Sequence, residues 1–426
     1  MNGNGVIRSG YPFGWGAYES TLVRGDGMYV FDQNGKRYLD LCSGLWNMPL
    51  GYSERRIKAV VNKQMEQLPF SNLLVFSSDI QTQYAQRLLQ WMGDFGCVLY
   101  TCSGSESVEA AIKTCRQYQC LRNRPERRRI AAFTLSYHGT SYGAMSVSGI
   151  DQILTDVYRP LVPEICWVSV PADYENEEAW LQAIDGLWER EGDYLAGFIV
   201  EPVMASGGVV PIPTPVLQHI QQRCRERDVL LVADEVATGF GRTGTPFAWQ
   251  QAELSPDLVC LSKAINNGYL PLGVLVFSQS CADLFAEQGA SLEHFSTQGG
   301  NGVAVAAAMG MLDCMKEYDQ FHVKEKGQLL LTWLREGLEG RASVRGLGLM
   351  AAVDFPKRFD SLQMLQVVEL FKKRGILVYI YNNEPVNKGI SFFPSFLITE
   401  EELERCVQKV LSILRDRKNV LSGNSE

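Results

Sequence analysis

The sequence is poor in several features that mark whole classes of protein. Only four of its 426 residues are histidine, and none of its eleven cysteines pair in a Cys-x-x-Cys spacing. Neither a disulfide-stapled fold nor a zinc site is therefore expected, and the cysteines are interpreted as reduced thiols in a cytoplasmic protein. No apolar run approaches the ~20 residues that a membrane span requires.

Charge and the amino terminus argue against further classes. Asp and Glu (48) outnumber Lys and Arg (40), which gives a net charge of −8 without any basic run. Neither nucleic acid nor an anionic membrane surface is therefore an expected partner. The stretch Met1–Asn4 has no basic region leading into an apolar one, which predicts that no secretory signal is present.

Short apolar runs alternate with helical patterns between about residues 97 and 278. Several of these runs are uninterrupted, which is typical of strands buried on both faces of a sheet. Their alternation with helices predicts an α/β fold with a mostly parallel sheet. The expected strands are Val98–Tyr100, Ile130–Phe133, Ile165–Val168, Gly197–Val200, Val229–Ala233, Leu258–Leu261 and Gly273–Phe277.

Different patterns flank this region. The dipeptide Asn34-Gly35 between two short apolar runs predicts a hairpin, and Thr399–Glu402 is a capping box that begins a final helix. After about residue 310 the pattern changes to long helices and short strands. We predict an N-terminal segment over 1–55, a large domain over 56–310, and a small α+β domain over 311–426 that packs with the N-terminal segment.

A glycine motif offers one candidate site. Gly239–Gly244 spells Gly-x-Gly-x-x-Gly after an apolar strand, which in the right context binds a dinucleotide. Here Pro246 and aromatic residues follow in place of a helix start, and no acidic residue ends a strand about 20 residues later. A nicotinamide oxidoreductase is therefore kept only as a minor alternative.

A second candidate begins a helix. Ser103–Glu106 lies between an expected strand and an amphipathic helix, and its backbone N–H groups and Ser hydroxyls could hold a phosphate. The same residues also form an ordinary capping box with no ligand. The motif lacks the Lys of a nucleotide-triphosphate loop.

Two strand-end residues favour a ligand. Asp234 ends an apolar strand and Lys263 follows the next one, so both are expected at the carboxyl edge of the sheet. A salt bridge explains such a pair, but so does pyridoxal phosphate, which needs a Lys amine for its imine and an acid for its pyridine nitrogen. Tyr137, after an earlier strand, offers an aromatic face for the ring.

With these residues in place, the sequence resembles the class III (omega) pyridoxal-phosphate-dependent aminotransferases, in particular their amine:pyruvate branch. The resemblance covers nearly the whole chain in order. Its motifs are Ser103–Glu106, Tyr137–Gly139, Glu201-Pro202, Asp234–Gly244, Lys263, Pro271–Gly273, Thr297–Asn301 and Val344–Met350.

The resemblance implies a fold type I enzyme, with a seven-stranded sheet and a small domain built from both termini, acting as a homodimer with active sites at the interface. By position, Lys263 would form the internal aldimine and move the proton, while Asp234 would pair with the pyridine nitrogen. Cofactor contacts are implied for Ser103, Gly104, Ser105, Tyr137, Val236 and, from the partner subunit, Thr297, with His138 and Glu201 as supports, and a substrate pocket for Trp46 and Phe70.

The implied activity is ping-pong transfer of an amino group from an amine or amino acid to an aldehyde, ketone or 2-oxo acid. An aminomutase or an amino-acid racemase or epimerase on the same fold is the alternative, because the cofactor motifs are shared. One departure bears on a hydrogen bond to the cofactor's phenolic oxygen, and another bears on the substrate. Ala237 stands where many members have Gln, and the stretch Lys388–Phe396 has no Arg to clamp a carboxylate. Its aromatic residues, Phe392, Phe393 and Phe396, with Trp46 and Phe70, suggest an apolar or bulky amine or aldehyde.

Overall fold

The computed structural model describes residues 21–150 and 152–415, which form seventeen strands and fourteen α-helices. The strands are β1 (Leu22–Asp26), β2 (Tyr29–Asp32), β3 (Arg37–Asp40), β4 (Phe95–Thr101), β5 (Arg129–Phe133), β6 (Ile165–Val168), β7 (Leu195–Val200), β8 (Val203–Met204), β9 (Val210–Pro211), β10 (Leu230–Asp234), β11 (Leu258–Leu261), β12 (Gly273–Ser278), β13 (Val344–Gly346), β14 (Ala351–Asp354), β15 (Ile376–Leu377), β16 (Tyr379–Asn383) and β17 (Asn387–Phe392).

The α-helices are α1 (Ser43–Trp46), α2 (Arg55–Gln67), α3 (Asp79–Met92), α4 (Gly104–Leu121), α5 (Tyr142–Ser146), α6 (Gln152–Thr155), α7 (Glu177–Glu191), α8 (Thr214–Arg227), α9 (Ala248–Gln251), α10 (Gln279–Glu287), α11 (Gly302–Met315), α12 (Val323–Leu338), α13 (Ser361–Lys373) and α14 (Glu400–Arg415). None of these helices is long and apolar enough to cross a membrane. All eleven cysteines are free thiols.

The central sheet has seven strands in the order β4-β12-β11-β10-β7-β5-β6. Only β12 runs antiparallel to its neighbours, so the sheet is mostly parallel. This confirms the predicted α/β fold, and each of the seven predicted runs falls on one of these strands.

Helices cover both faces of this sheet, because its central strands are apolar on both sides. Every residue of β7, β10 and β11 is buried. On one face α4 packs through Val108, Ala111 and Cys115, and on the other α7 and α8 pack through Trp180 and Ile220. The two clusters share no residue, so the sheet divides the core into separate layers.

Two four-stranded sheets contain the remaining strands except β8 and β9, and one of them joins segments from both ends of the chain. The predicted hairpin is present, because β2 and β3 pair antiparallel around Asn34-Gly35. The strand β15 then pairs parallel to β3, so the first sheet (β1-β2-β3-β15) contains both N-terminal and C-terminal segments. The second sheet (β13-β14-β17-β16) is antiparallel throughout. The domain limits at residues 55 and 310 stay a prediction.

Candidate active site

The carboxyl edge of the central sheet brings together Asp234 and Lys263. Asp234 is the last residue of β10, and Lys263 follows β11 after a single residue, Ser262. The two strands are parallel neighbours, with Asp234 opposite Cys260. Lys263 has a φ of 45°, in the left-handed region that non-glycine residues rarely adopt, and such backbone strain concentrates at functional sites.

Asp234 is held in one orientation by two hydrogen bonds. Its Oδ2 lies 2.7 Å from His138 Nδ1, and its Oδ1 accepts from the backbone N–H of Val236 at 3.0 Å. The His138 ring is completely buried. Burial alone would lower the pKa of His138, but the hydrogen bond and charge of Asp234, together with the charge of Glu201, raise it above its ordinary value.

Glu201 lies beside this pair. Its Oε1 accepts from the backbone N–H of Tyr137 at 2.9 Å and its Oε2 from that of Ala205 at 3.3 Å. Burial raises the pKa of Glu201 to about 7; the charge of Asp234 also raises it, and the charge of His138 lowers it. Burial lowers the pKa of Lys263, although the negative charges of Asp234 and Glu201 act to raise it.

The N-terminus of α4 forms the next wall. Ser103 is the N-cap of this 18-residue helix and accepts from the backbone N–H of Glu106, so the N–H groups of Gly104 and Ser105 are the ones without a partner inside the helix. Two glycines allow close approach. A Cβ on Gly104 would lie 2.8 Å from Val236 Cγ1, and one on Gly139, where φ is 132°, would lie 2.2 Å from Ser105 Oγ. An anion is favoured at such a helix end.

The segment α1, whose backbone is a left-handed turn rather than a regular α-helix, follows the N-terminal sheet and closes the site. Ser43, Gly44, Leu45 and Trp46 all have positive φ values between 45° and 81°. Each non-glycine residue in this region costs on the order of 1 kcal/mol, so the surrounding contacts must hold the turn. The turn places the Trp46 ring 4.7 Å from Lys263 Nζ. Tyr379 and Phe393 pack against the same indole, with ring centroids 5.1 and 4.6 Å away.

These elements line a cleft with a volume of about 150 Å³. Ten of the twelve site residues predicted from sequence line it. The lining residues are Trp46, Ser103, Gly104, Ser105, Tyr137, His138, Gly139, Glu201, Asp234, Val236, Ala237, Ser262 and Lys263.

The other two predicted residues lie elsewhere in the chain. Thr297 is exposed, and Phe70 lines a separate groove with Tyr269 and Leu270. Sequence reasoning grouped Phe393 with Trp46 but did not predict that the two rings pack together, and it missed Tyr379 altogether. The signal that could have found them is weak, because both lie more than 300 residues from Trp46 in the chain.

The glycine motif at Gly239–Gly244 has a packing role. It forms turns, and the next helix, α9, begins only at Ala248. Arg242 Nη1 donates to the backbone oxygens of Leu349 and Pro394, and Tyr318 lies where a Cβ on Gly241 would be. The motif therefore anchors C-terminal segments, and no helix N-terminus stands behind it for a dinucleotide.

Lys388 and two phenylalanines of the C-terminal aromatic stretch pack away from the cleft. Lys388 Nζ donates to the backbone oxygens of Lys357 and Phe359 and pairs with Glu384. Phe392 and Phe396 are buried in the main apolar core, whereas Phe393 packs against Trp46, which lines the cleft. Lys388 is therefore not available to a molecule bound beside Lys263.

Comparisons with known proteins agree with this geometry. Residues 16–414 match the aminotransferase class-III family. The adenosylmethionine-8-amino-7-oxononanoate aminotransferase of Geobacter sulfurreducens is 32% identical over 413 residues, covering 90% of this chain and 89% of that protein. A thermostable (S)-enantioselective omega-transaminase from Thermomicrobium roseum has a TM-score of 0.87 at 32% identity, covering 93% and 92% of the two chains.

An amine transaminase from an uncultivated Pseudomonas species, solved with pyridoxal phosphate bound, also has a TM-score of 0.87, at 28% identity and with 96% and 98% of the two chains covered. The family match spans nearly the whole chain, and enzymes of this class depend on pyridoxal phosphate. The chain therefore belongs to the class III aminotransferase family.

Proposed function

We propose that this aminotransferase binds pyridoxal phosphate in the cleft around Lys263 and acts on amines that carry no carboxylate. The observation that supports the cofactor site is the convergence of a partly buried amine, a buried carboxylate and a helix N-terminus on one cleft. Lys263, Asp234 and the start of α4 lie on three separate chain segments, and all of them line it. A salt bridge alone would not need the helix end.

The residues present fit this cofactor. Lys263 supplies an amine, Asp234 a carboxylate for a ring nitrogen, and the first turn of α4 with Ser105 supplies donors for a phosphate. Tyr137 and Val236 offer an aromatic and an aliphatic wall for a flat ring. When bound, the cofactor supplies a carbonyl group for the incoming amine and an electron sink for the bond broken at its Cα.

The side chains then divide the remaining work. The lowered pKa of Lys263 increases its neutral fraction, so its Nζ is better able to accept and return a proton. Asp234 holds a proton at the ring nitrogen by a charge-assisted hydrogen bond, and His138 fixes the direction of that carboxylate. Because donor and acceptor use one cleft in turn, ping-pong kinetics are expected.

The substrate class follows from the charges around the cleft. Lys263 is the one lysine among the lining residues, and no arginine lines the cleft in the part of the chain that the structure describes. A carboxylate is bound best by the two-pronged guanidinium of Arg, which this wall lacks. Trp46, backed by Phe393, presents an apolar surface in its place. We therefore propose an apolar or bulky amine as donor.

A homodimer is proposed as the working form. The segment 68–76 leaves six apolar side chains at least 38% exposed, which is typical of an interaction surface: Leu68, Phe70, Leu73, Leu74, Val75 and Phe76. The loop that carries Thr297 is tied to this region, because Gln81, near the start of α3, donates to the backbone oxygen of Gly300. A partner subunit seated there would bring Thr297 and Phe70 to a cleft, which neither residue reaches within its own chain.

Two further points support the proposal. The relatives compared above are all named as aminotransferases or transaminases, which favours transfer over the isomerase alternative. The eleven free cysteines are typical of a reducing compartment, and we propose a cytoplasmic location on that ground.

Borohydride trapping tests the cofactor site. The protein is incubated with pyridoxal phosphate, reduced and digested, and the peptides are analysed by mass spectrometry. We expect the cofactor mass on the peptide that contains Lys263 and none in a Lys263→Ala variant. Label on another lysine of the native chain would contradict the assignment.

A donor panel tests the substrate class. We expect 1-phenylethylamine to be used with a higher kcat/KM than 4-aminobutyrate or N-acetylornithine, with pyruvate, 2-oxoglutarate and an aldehyde compared as acceptors. A preference for either amino acid would refute the proposed class while leaving the cofactor site intact. Change of donor chirality without any oxo product would instead support the isomerase alternative.

A further inference from the structure

The turn that carries Trp46 is strained over its whole length. Three of its four residues, Ser43, Leu45 and Trp46, are non-glycine residues with φ in the left-handed region. Such a run is populated only when contacts outside it fix its shape. We name Ser43–Trp46 the left-handed turn; beside its backbone hydrogen bonds, one side chain accepts several hydrogen bonds from the turn and its neighbours.

That side chain is Asp40, the last residue of β3, which is only 4% exposed. Its Oδ1 accepts from the backbone N–H of Cys42 at 2.8 Å, and its Oδ2 accepts from that of Gly44 at 2.7 Å. The Tyr52 hydroxyl donates to the same Oδ2 at 2.6 Å. Three donors from around the turn therefore converge on one buried carboxylate, and Ser43 Oγ adds a bond to the backbone oxygen of Phe393 at 2.6 Å.

The turn has one visible consequence at the cleft. It sets the Trp46 indole over Lys263 Nζ at 4.7 Å, where the ring covers the amine. We propose that Asp40 is a positioning residue that acts on Lys263 through the left-handed turn and Trp46. A test of this proposal by enzyme activity rests on the proposed role of Lys263. A test by the reactivity of the Lys263 amine does not.

The substitution Asp40→Asn distinguishes this positioning role from a direct effect of the Asp40 charge on Lys263. The amide keeps the size of the side chain but replaces one accepting oxygen with an NH₂ donor, so Cys42 and Gly44 can no longer both be satisfied. The turn then relaxes, Trp46 moves and water reaches Lys263, which raises the pKa of the amine. Loss of the negative charge alone would lower that pKa, so the two explanations predict opposite signs.

A double-mutant cycle tests the route. We expect Asp40→Asn to lower kcat/KM by about tenfold or more in the native background, as a misplaced positioning group does. In a Trp46→Ala background the same substitution should change kcat/KM by less than about twofold, because the group through which it acts is gone. Equal effects in the two backgrounds would overturn the proposal.

The second readout uses the full-length, cofactor-free protein. The rate at which trinitrobenzenesulfonate labels Lys263 is measured on the peptide that contains it, at a series of pH values. The pH dependence of this rate gives the titration midpoint of the Lys263 amine. We expect this midpoint to rise in Asp40→Asn and in Trp46→Ala, with no further rise in the double variant. An unchanged or lower midpoint in Asp40→Asn would refute the proposal even if no transaminase activity is found.

Asp32 provides a matched control. It is also 4% exposed, ends the preceding strand β2, and accepts two backbone N–H groups and the Tyr38 hydroxyl at the hairpin, outside the cleft lining. Asp32→Asn should lower thermal stability but leave kcat/KM and the Lys263 midpoint unchanged. If Asp40→Asn does not fold, Tyr52→Phe removes one of the three donors and should move the midpoint upward by a smaller amount. No movement in that variant would count against the proposal.

Discussion

Replacing Glu201 with Gln should make the native state more stable at alkaline pH and leave it nearly unchanged at acid pH. The pKa of this buried carboxyl rises from 4.5 to about 7 in the folded protein. The native state therefore holds the proton more tightly than the unfolded chain does. Stability that is fully present below pH 4.5 is lost as the pH rises through 7.

The size of the effect follows from the shift. One pKa unit corresponds to about 1.4 kcal/mol, so ionised Glu201 costs the native state about 3 kcal/mol above its folded pKa. The Gln oxygen can still accept from Tyr137, but its NH₂ group faces the N–H of Ala205, which costs about 1 kcal/mol. The net gain is therefore about 2 kcal/mol near pH 8 and close to zero near pH 5.

Urea unfolding of cofactor-free protein at the two pH values measures this difference, since bound cofactor would add its own stabilisation. In a thermal scan, 2 kcal/mol corresponds to only about 2 °C for a chain of this length, so the denaturant experiment is the more sensitive one. The reasoning fails if the stability difference between Glu201→Gln and the native chain is the same at both pH values, or larger at acid pH.

Three further outcomes are expected. Lys263→Ala should lower turnover by at least roughly 10²-fold without lowering thermal stability, and retained activity in a steady-state donor assay would remove its assigned role. Asp234→Asn should lower kcat by about 10²–10³-fold, and an unchanged rate would mean that another group holds the ring nitrogen. Thr297→Ala should weaken cofactor retention in equilibrium dialysis. Mixed dimers with Lys263→Ala subunits should restore one site of native affinity if Thr297 acts across the interface, and none if it acts within its own chain.

The local pattern of apolar residues was sufficient to predict the strands of the large sheet. Uninterrupted apolar runs can bury both faces only between two layers of helices, and each of the seven predicted runs is a strand of that sheet. The same logic placed Asp234 and Lys263 together, because residues that follow neighbouring parallel strands must meet at one edge. The hairpin at Asn34-Gly35 and the capping box at Thr399 were equally local, and both are present.

The glycine motif shows where pattern misleads. Gly239–Gly244 has the spacing of a dinucleotide loop, but Tyr318 fills the space beside Gly241 and Lys324 lies against Gly244. Spacing alone carries no information about what packs against a backbone. The absence of a following helix was visible in the sequence and gave the correct interpretation.

The sequence by itself therefore determined the layered fold and the strand-end pair, because periodicity and chain topology act over short distances. Only the tertiary structure decided that His138 orients Asp234, that Lys388 is turned away from the cleft and that Asp40 holds the turn beneath Trp46. Those contacts depend on side-chain directions set by packing between distant segments. They have no periodic or local signature, since each pairing is selected only when the whole core is assembled.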